Sequence, residues 1–254
     1  SITNSGRVRF ANTATASNSH ISLLSTGGLL EFFSNATAAE AKITINGSNS
    51  TVNFFNNSLG GDATLASSNL GSIVFTNTSK AQNAVISLDK STLTFNSSSQ
   101  ANSAHITAVN TSTVTFSTNS SANAAFIKAN RSKIFFNNNA SGDSATISLA
   151  SFSNLEFNQN NTLASVNSDI SSKINIKGFQ LTLGNTNENS VIEGVINGLE
   201  GSLIKNGTGT LVLDGENTYT GETVINNGKL AGYGSVAGNL TLLSSTTFSS
   251  GNNT

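Results

Sequence analysis

Two histidines, thirteen carboxylates and many serine hydroxyls are the groups in this 254-residue chain that could do chemistry. Imidazole binds metals and moves protons near neutral pH, so His20 and His105 come first. They share one phase of a sequence repeat, four repeats apart. If each repeat is one layer of a strand stack, the separation is roughly 19 Å. No single metal ion bridges that distance. Both are expected to be isolated surface histidines. Glycan cleavage would need carboxylates or cations converging on one face. Asp62, Asp89, Asp143 and Asp169 share no phase, and Glu31 and Glu156 share one but lie six repeats apart. Arg9 falls one repeat from Glu31 on the same stripe, which predicts a cross-layer salt bridge worth little at a surface. No G-x-S-x-G element accompanies the serines, and neither histidine has an evident Asp partner. Gly207-Thr208-Gly209 has the composition of a phosphate-cradling loop, but no helix follows it. The expectation is therefore no catalytic residue, no metal ligand and no cofactor.

The elements that would position such groups are set by a repeat. Phe10, Phe32, Phe54, Phe75, Phe95, Phe116, Phe136 and Phe157 recur every 20–22 residues. A period of this length signals a solenoid. Two residues before each Phe stands an aliphatic: Val8, Leu30, Val52, Ile73, Leu93, Val114, Ile134, Leu155. A spacing of two puts both side chains on one face of a strand. Eleven residues after each Phe comes Ile21, Ile43, Leu65, Ile86, Ile106, Ile127 or Ile147, preceded two positions earlier by Ser or Ala. This is a second inward strand. Six residues after Phe only Ala or Gly occurs, from Ala16 to Gly142, which predicts a tight corner. The arm from Ile to the next Phe varies in length, so it contains the loop that tolerates insertion. One layer alone cannot bury its apolar face; stacked layers make a continuous core.

The fold predicted is all-β, a single-stranded parallel β-helix with rungs of 20–22 residues. About eight regular rungs occupy residues 1–176. After Phe157 the phase is lost: where Ala and Ile are expected stand Val166 and Ser168. Residues 177–254 are expected to continue the β-helix across a soft boundary. Two phases of the polar segment after Phe are rich in Asn, one with Asn12, Asn56, Asn77 and Asn138, the next with Asn35, Asn57, Asn119, Asn139 and Asn160. Stacked amides can satisfy one another as ladders.

Composition narrows the partners. Twelve Lys+Arg against thirteen Asp+Glu give a net charge of −1, too weak a field to track phosphates, so nucleic acid is excluded as a partner. The chain has no Cys, hence no disulfide and no thiolate metal site. It has no Met, as expected of a processed or excised chain, and no leader-like N-terminal segment. The outward stripe on the Phe strands reads Arg9, Glu31, Asn53, Val74, Thr94, Thr115, Phe135, Glu156. The stripe on the Ile strands reads His20, Lys42, Thr64, Val85, His105, Phe126, Thr146. Phe126 and Phe135 are expected to face solvent in adjoining turns, and Phe33 and Phe55 follow core Phe residues on neighbouring rungs. These four form the candidate contact surface. The competing reading is a stacked aromatic pair covering a loop.

Near the C-terminus the sequence becomes specific. Lys205-Asn206-Gly207-Thr208-Gly209-Thr210-Leu211-Val212-Leu213 is followed by Asn217-Thr218-Tyr219-Thr220-Gly221, then by Asn226-Asn227-Gly228-Lys229-Leu230. Over about residues 203–243 this resembles the passenger-associated transport repeat of autotransporters, the type V secreted proteins of Gram-negative bacteria. Glu222 stands where that pattern more often has Gly. The resemblance implies a passenger domain on the bacterial cell surface, at the outer membrane exterior, or secreted. Attachment would run through a C-terminal membrane barrel that this sequence does not include. It also implies a role for the repeat in export. The expected function is that of a non-catalytic adhesin or self-associating structural stalk. Its partners would be a host surface protein, a glycan or another copy of the chain. The alternatives are a secreted β-helix carbohydrate-active enzyme (a polysaccharide lyase or hydrolase) and a passive filament or spacer.

Overall fold

A computed structural model describes residues 2–4 and 6–251, with side chains from residue 6 onward. Among them there is no helix. The strands pair in parallel, each with the equivalent strand one rung away, and build a β-solenoid. Three faces surround one core. The first is a 13-stranded sheet running from Ile2–Asn4 to Thr246–Ser250, which carries the Ile column. The second is a 10-stranded sheet from Arg7–Phe10 to Val195–Asn197, which carries the Phe column. The third face is crossed through most of the N-terminal rungs by single bridges, Thr15 to Thr37 to Leu59 and on to Ser141. From Asn161–Leu163 onward it becomes a five-stranded sheet.

The register is the one that the Phe spacing demands. Each Phe from Phe10 to Phe157 is paired with the Phe of the next rung. Their rings stack with centroids between 4.3 and 5.3 Å apart. Phe32 to Phe157 are buried, and Phe10, at the end of the stack, is half-buried. The small residue six positions after Phe sits where backbone passes close by: a Cβ on Gly60 would lie 2.6 Å from the Ala81 carbonyl oxygen.

The corner after each Phe explains the first Asn phase. Asn12, Ser34, Asn56, Asn77, Ser97, Thr118 and Asn138 all have positive φ, between 49° and 60°. Asn adopts this left-handed conformation at lower cost than most residues because its short side chain bonds locally. Here the amide does a second task. Asn77 Oδ1 accepts from the Asn56 N–H at 3.2 Å, and Asn56 Oδ1 from the Ser34 N–H at 3.4 Å. The expected amide-to-amide ladder occurs at other phases, as from Asn226 Nδ2 to Asn206 Oδ1 at 2.8 Å.

The loss of phase after Phe157 is corrected by the register. Val166 pairs with Ile147, so the Ile column continues through it, and the Ala164 N–H reaches the Ala145 carbonyl at 3.0 Å. The arm after Phe157 is two residues shorter than its predecessors, nine instead of eleven (166 − 157 = 9 against 147 − 136 = 11 in the rung before). Shortening pulls Asn161–Leu163 into a true strand on the third face. The cross-section therefore changes at about residue 161, upstream of the 176/177 boundary. The core passes through that boundary unbroken, with Ile174, Ile176, Leu181 and Leu183 in one buried cluster.

Candidate functional site

The titratable side chains singled out above serve mostly as ties between rungs. Asp62 accepts from Asn83 Nδ2 at 2.9 Å, and Asp89 from Asn110 Nδ2 at 3.0 Å. Asp143 accepts from the hydroxyls of Ser121 and Ser141. Asp169 accepts from the Ser151 N–H at 2.6 Å and from the Ser171 and Ser172 hydroxyls at 2.9 and 2.7 Å. Partial burial pulls the Asp169 carboxyl up, and these hydrogen bonds outweigh it, leaving it below its ordinary range. His20 and His105 are exposed in the same column, four rungs apart through Lys42, Thr64 and Val85. Among the described residues no three His, Asp or Glu side chains gather at metal-binding distance.

Glu31 departs from the expected surface pair. It is only 5 % exposed and binds both Arg7 and Arg9, the latter at 3.2 Å. The Arg9 guanidinium also lies 4.2 Å from the centre of the Phe33 ring, a cation–π contact. Burial raises the Glu31 carboxyl, and the two guanidiniums overcome that effect and hold it low.

The four candidate contact residues separate into three places. Phe33 and Phe55 stack at 4.4 Å on the corner beside the Phe face, the aromatic pair of the competing reading. Phe126 lies on the Ile face, between His105 at 6.0 Å and Lys128 at 5.2 Å. Phe135 lies on the Phe face in a shallow groove of about 240 Å³ with Lys133, Glu156 and Lys173, and Lys177 bonds Glu156 at 2.8 Å. All four rings are half-buried, and Phe126 and Phe135 are on different sheets.

The stretch with the Gly-rich motifs has the most unusual interior. Ser202–Lys205 alternates outward and inward, and Lys205 falls on an inward phase, fully buried. Its ammonium donates to the main-chain carbonyls of Asn206 and Gly207, the latter at 2.8 Å, and lies 3.5 Å from that of Asn227 on the next rung. Burial pushes its pKa down. Asn217 stands where the Phe face stops. Its Oδ1 accepts from the Ile196 N–H at 2.8 Å, and its Nδ2 donates to the carbonyls of Gly215 and Ser235 at 3.0 and 2.9 Å. One side chain thus replaces a missing strand. Tyr219 fills the core in place of the Phe column, with its hydroxyl 2.6 Å from Thr223 Oγ1. Burial raises the phenol, with the Thr223 bond opposing. The motif was legible in the sequence but these roles were not. The period-two step from Leu203 to Lys205 was the one available signal, because it places a lysine at a core phase.

Residues 203–231 match the family model described as passenger-associated-transport-repeat. The match is shorter than the 203–243 read from the motif. It encloses Lys205, Asn217, Tyr219 and Thr223. The repeat, carried on a β-solenoid, fits an autotransporter passenger domain. It implies secretion or surface display. Comparison with curated proteins and with solved structures gave no match.

Proposed function

We propose that this passenger is a non-catalytic adhesin or self-associating stalk, displayed outside the outer membrane and attached through a barrel domain. Its partners are a glycan, a host surface protein or another copy of the chain. One observation carries the reading. Polar side chains are repeated at rung spacing along open faces, while the carboxylates of Glu31, Asp62, Asp89, Asp143, Glu156 and Asp169 bond to groups of neighbouring rungs. The third face supports it with a broad groove of about 650 Å³, lined by Asn35, Asn57, Thr78, Gln100 and others. Amides and hydroxyls offer both donors and acceptors, the chemistry needed for sugar hydroxyls or for polypeptide backbone.

The test is display of the whole protein on a non-adherent bacterium. Adherence to epithelial cells and settling of the culture are then measured. Gain of either over a strain displaying the barrel alone is expected. Gain of neither would sink the proposal in favour of a passive spacer.

A further inference from the structure

The short arm after Phe157 makes a step in the third face. On the N-terminal side of the step the chain crosses by the single bridge Ser121–Ser141; on the far side it forms the paired strands Asn161–Leu163 and Gln180–Leu183. An open cleft of about 520 Å³ lies across the step. That is within the usual range for small-molecule and saccharide-sized sites.

The wall of this cleft is fixed by its own hydrogen bonds. Asn161, 6 % exposed, accepts from the Gly142 N–H at 2.6 Å and donates to the Ala140 carbonyl at 2.9 Å. Gln159 accepts from the Asn139 N–H at 2.8 Å and also donates to Ala140. Asn160 Oδ1 takes the Gln180 N–H at 2.9 Å. Among the described residues, the Asn160 Nδ2, the side-chain amides of Asn139 and Gln180, and the hydroxyls of Thr162 and Thr182 have no protein partner. Phe179, outside the Phe column and half-buried, lines the same cleft. No ionisable side chain does.

An uncharged cleft with one aromatic ring and a fringe of amides and hydroxyls has a specific chemical complement. A pyranose ring presents an apolar C–H face to an aromatic surface and hydroxyls around its edge. Amides, which donate and accept, match those hydroxyls without selecting charge. The rung spacing of roughly 4.8 Å also places successive polar groups about one sugar residue apart. We infer that this cleft binds an uncharged oligosaccharide, with Phe179 as the stacking platform and Asn139, Asn160 and Gln180 as the hydroxyl readers. The inference rests on the adhesin reading and names a ligand class and a site for it. Gln159 and Asn161 hold the wall in shape, so the entropy lost on binding is confined to the side chains that read the ligand.

The probe is an array of neutral hexasaccharides built on glucose, galactose, mannose and N-acetylglucosamine, with polygalacturonate as the anionic control. Positives are followed by calorimetry. At least one neutral hexasaccharide is expected to bind the purified chain. Phe179→Ala should weaken it at least tenfold, and Phe179→Trp, which keeps a ring there, should retain it, with circular dichroism unchanged in both. The site is overturned if no neutral hexasaccharide binds, if polygalacturonate alone binds, or if Phe179→Ala binds as the parent does. Displayed Phe179→Ala separates the two readings. Adherence that persists without any neutral-glycan binding defeats the cleft and leaves the adhesin standing. Failure of the parent chain to adhere or aggregate defeats the adhesin reading itself.

Discussion

Replacing Phe95 with Ala tests whether the ring column holds the stack. Phe95 is fully buried, with Phe75 at 4.9 Å on one side and Phe116 at 4.8 Å on the other. Truncating a buried Phe costs about 3–5 kcal/mol, through lost transfer free energy and the cavity left behind. Stacked ring pairs contribute about 0.5–1.5 kcal/mol each beyond burial, and two are lost here, so the upper part of that range is expected. Phe10 is the internal control. It is half-buried with one ring neighbour, at 5.1 Å, so Phe10→Ala should cost about 2 kcal/mol, half the area term and one stack. Urea unfolding followed by far-ultraviolet circular dichroism reads both as shifts in midpoint at constant slope. Equal losses for the two variants, or a loss at Phe95 below about 2 kcal/mol, would refute the column as the main source of cohesion.

Three further outcomes are expected. Leu211 and Leu213 are core residues inside the transport repeat, so Leu211→Asp with Leu213→Asp buries unpaired charge and should lower surface display severalfold, read by flow cytometry on intact cells; unchanged display breaks the link between this rung and export. Asp169 is held below its ordinary range, so it stabilises the fold fully above the unfolded value of about 3.9, and that stability is lost as pH falls through the lower folded value. Urea titrations between neutral pH and strong acid should show this slope in the parent and a smaller one in Asp169→Asn; identical slopes would remove Asp169 from the account. Leu70 is 69 % exposed with φ +66°, a conformation that costs an L residue about 1–2 kcal/mol, so Leu70→Gly should raise stability by about 0.5–1 kcal/mol after the entropy cost of glycine; a destabilised variant would show that this side chain packs more than its exposure implies.

The sequence made the solenoid legible because its inward positions are chemically monotonous. Phe stacks on Phe and Ile on Ile only if the spacing is kept, so the spacing reports the register directly. The same logic failed after Phe157, where a two-residue shortening moved Val166 into the Ile column and read as lost phase. A fixed-period comparison cannot tell a shortened arm from a broken repeat; only pairing of Val166 with Ile147 does. The Arg9–Glu31 bridge forms across the rungs as the stripe predicts, but the burial of Glu31 is not legible for a related reason. Its stripe is outward, but two guanidiniums bind the carboxylate, that of Arg9 held against the Phe33 ring, and no periodicity reports coverage by long neighbouring side chains. Phe126 and Phe135 share a turn in sequence and separate in space because the corner at Arg131 sends them to different sheets.

The polar residues of a solenoid divide into those spent on the fold and those left for a partner, and composition alone does not divide them. The Asn phase at Asn12, Asn56 and Asn77 is spent: left-handed backbone needs it, and the amide oxygens of Asn56 and Asn77 meet N–H groups of the preceding rung. Asp62, Asp89, Asp143 and Asp169 are spent in the same way across rungs. A surface that looks uniformly rich in amides is therefore partly committed to its own cohesion. Groups are left for a partner on the regular third face, in the groove lined by Asn35, Thr78 and Gln100, and again at the step after Phe157. The cleft around Phe179 is such a place, with the side-chain amides of Asn139 and Gln180 and the Asn160 Nδ2 free beside the same short arm that hid the register. In a fold of repeated faces, an irregularity is the place where one position differs from all the others, so a ligand seated there is held at a single place along the stack.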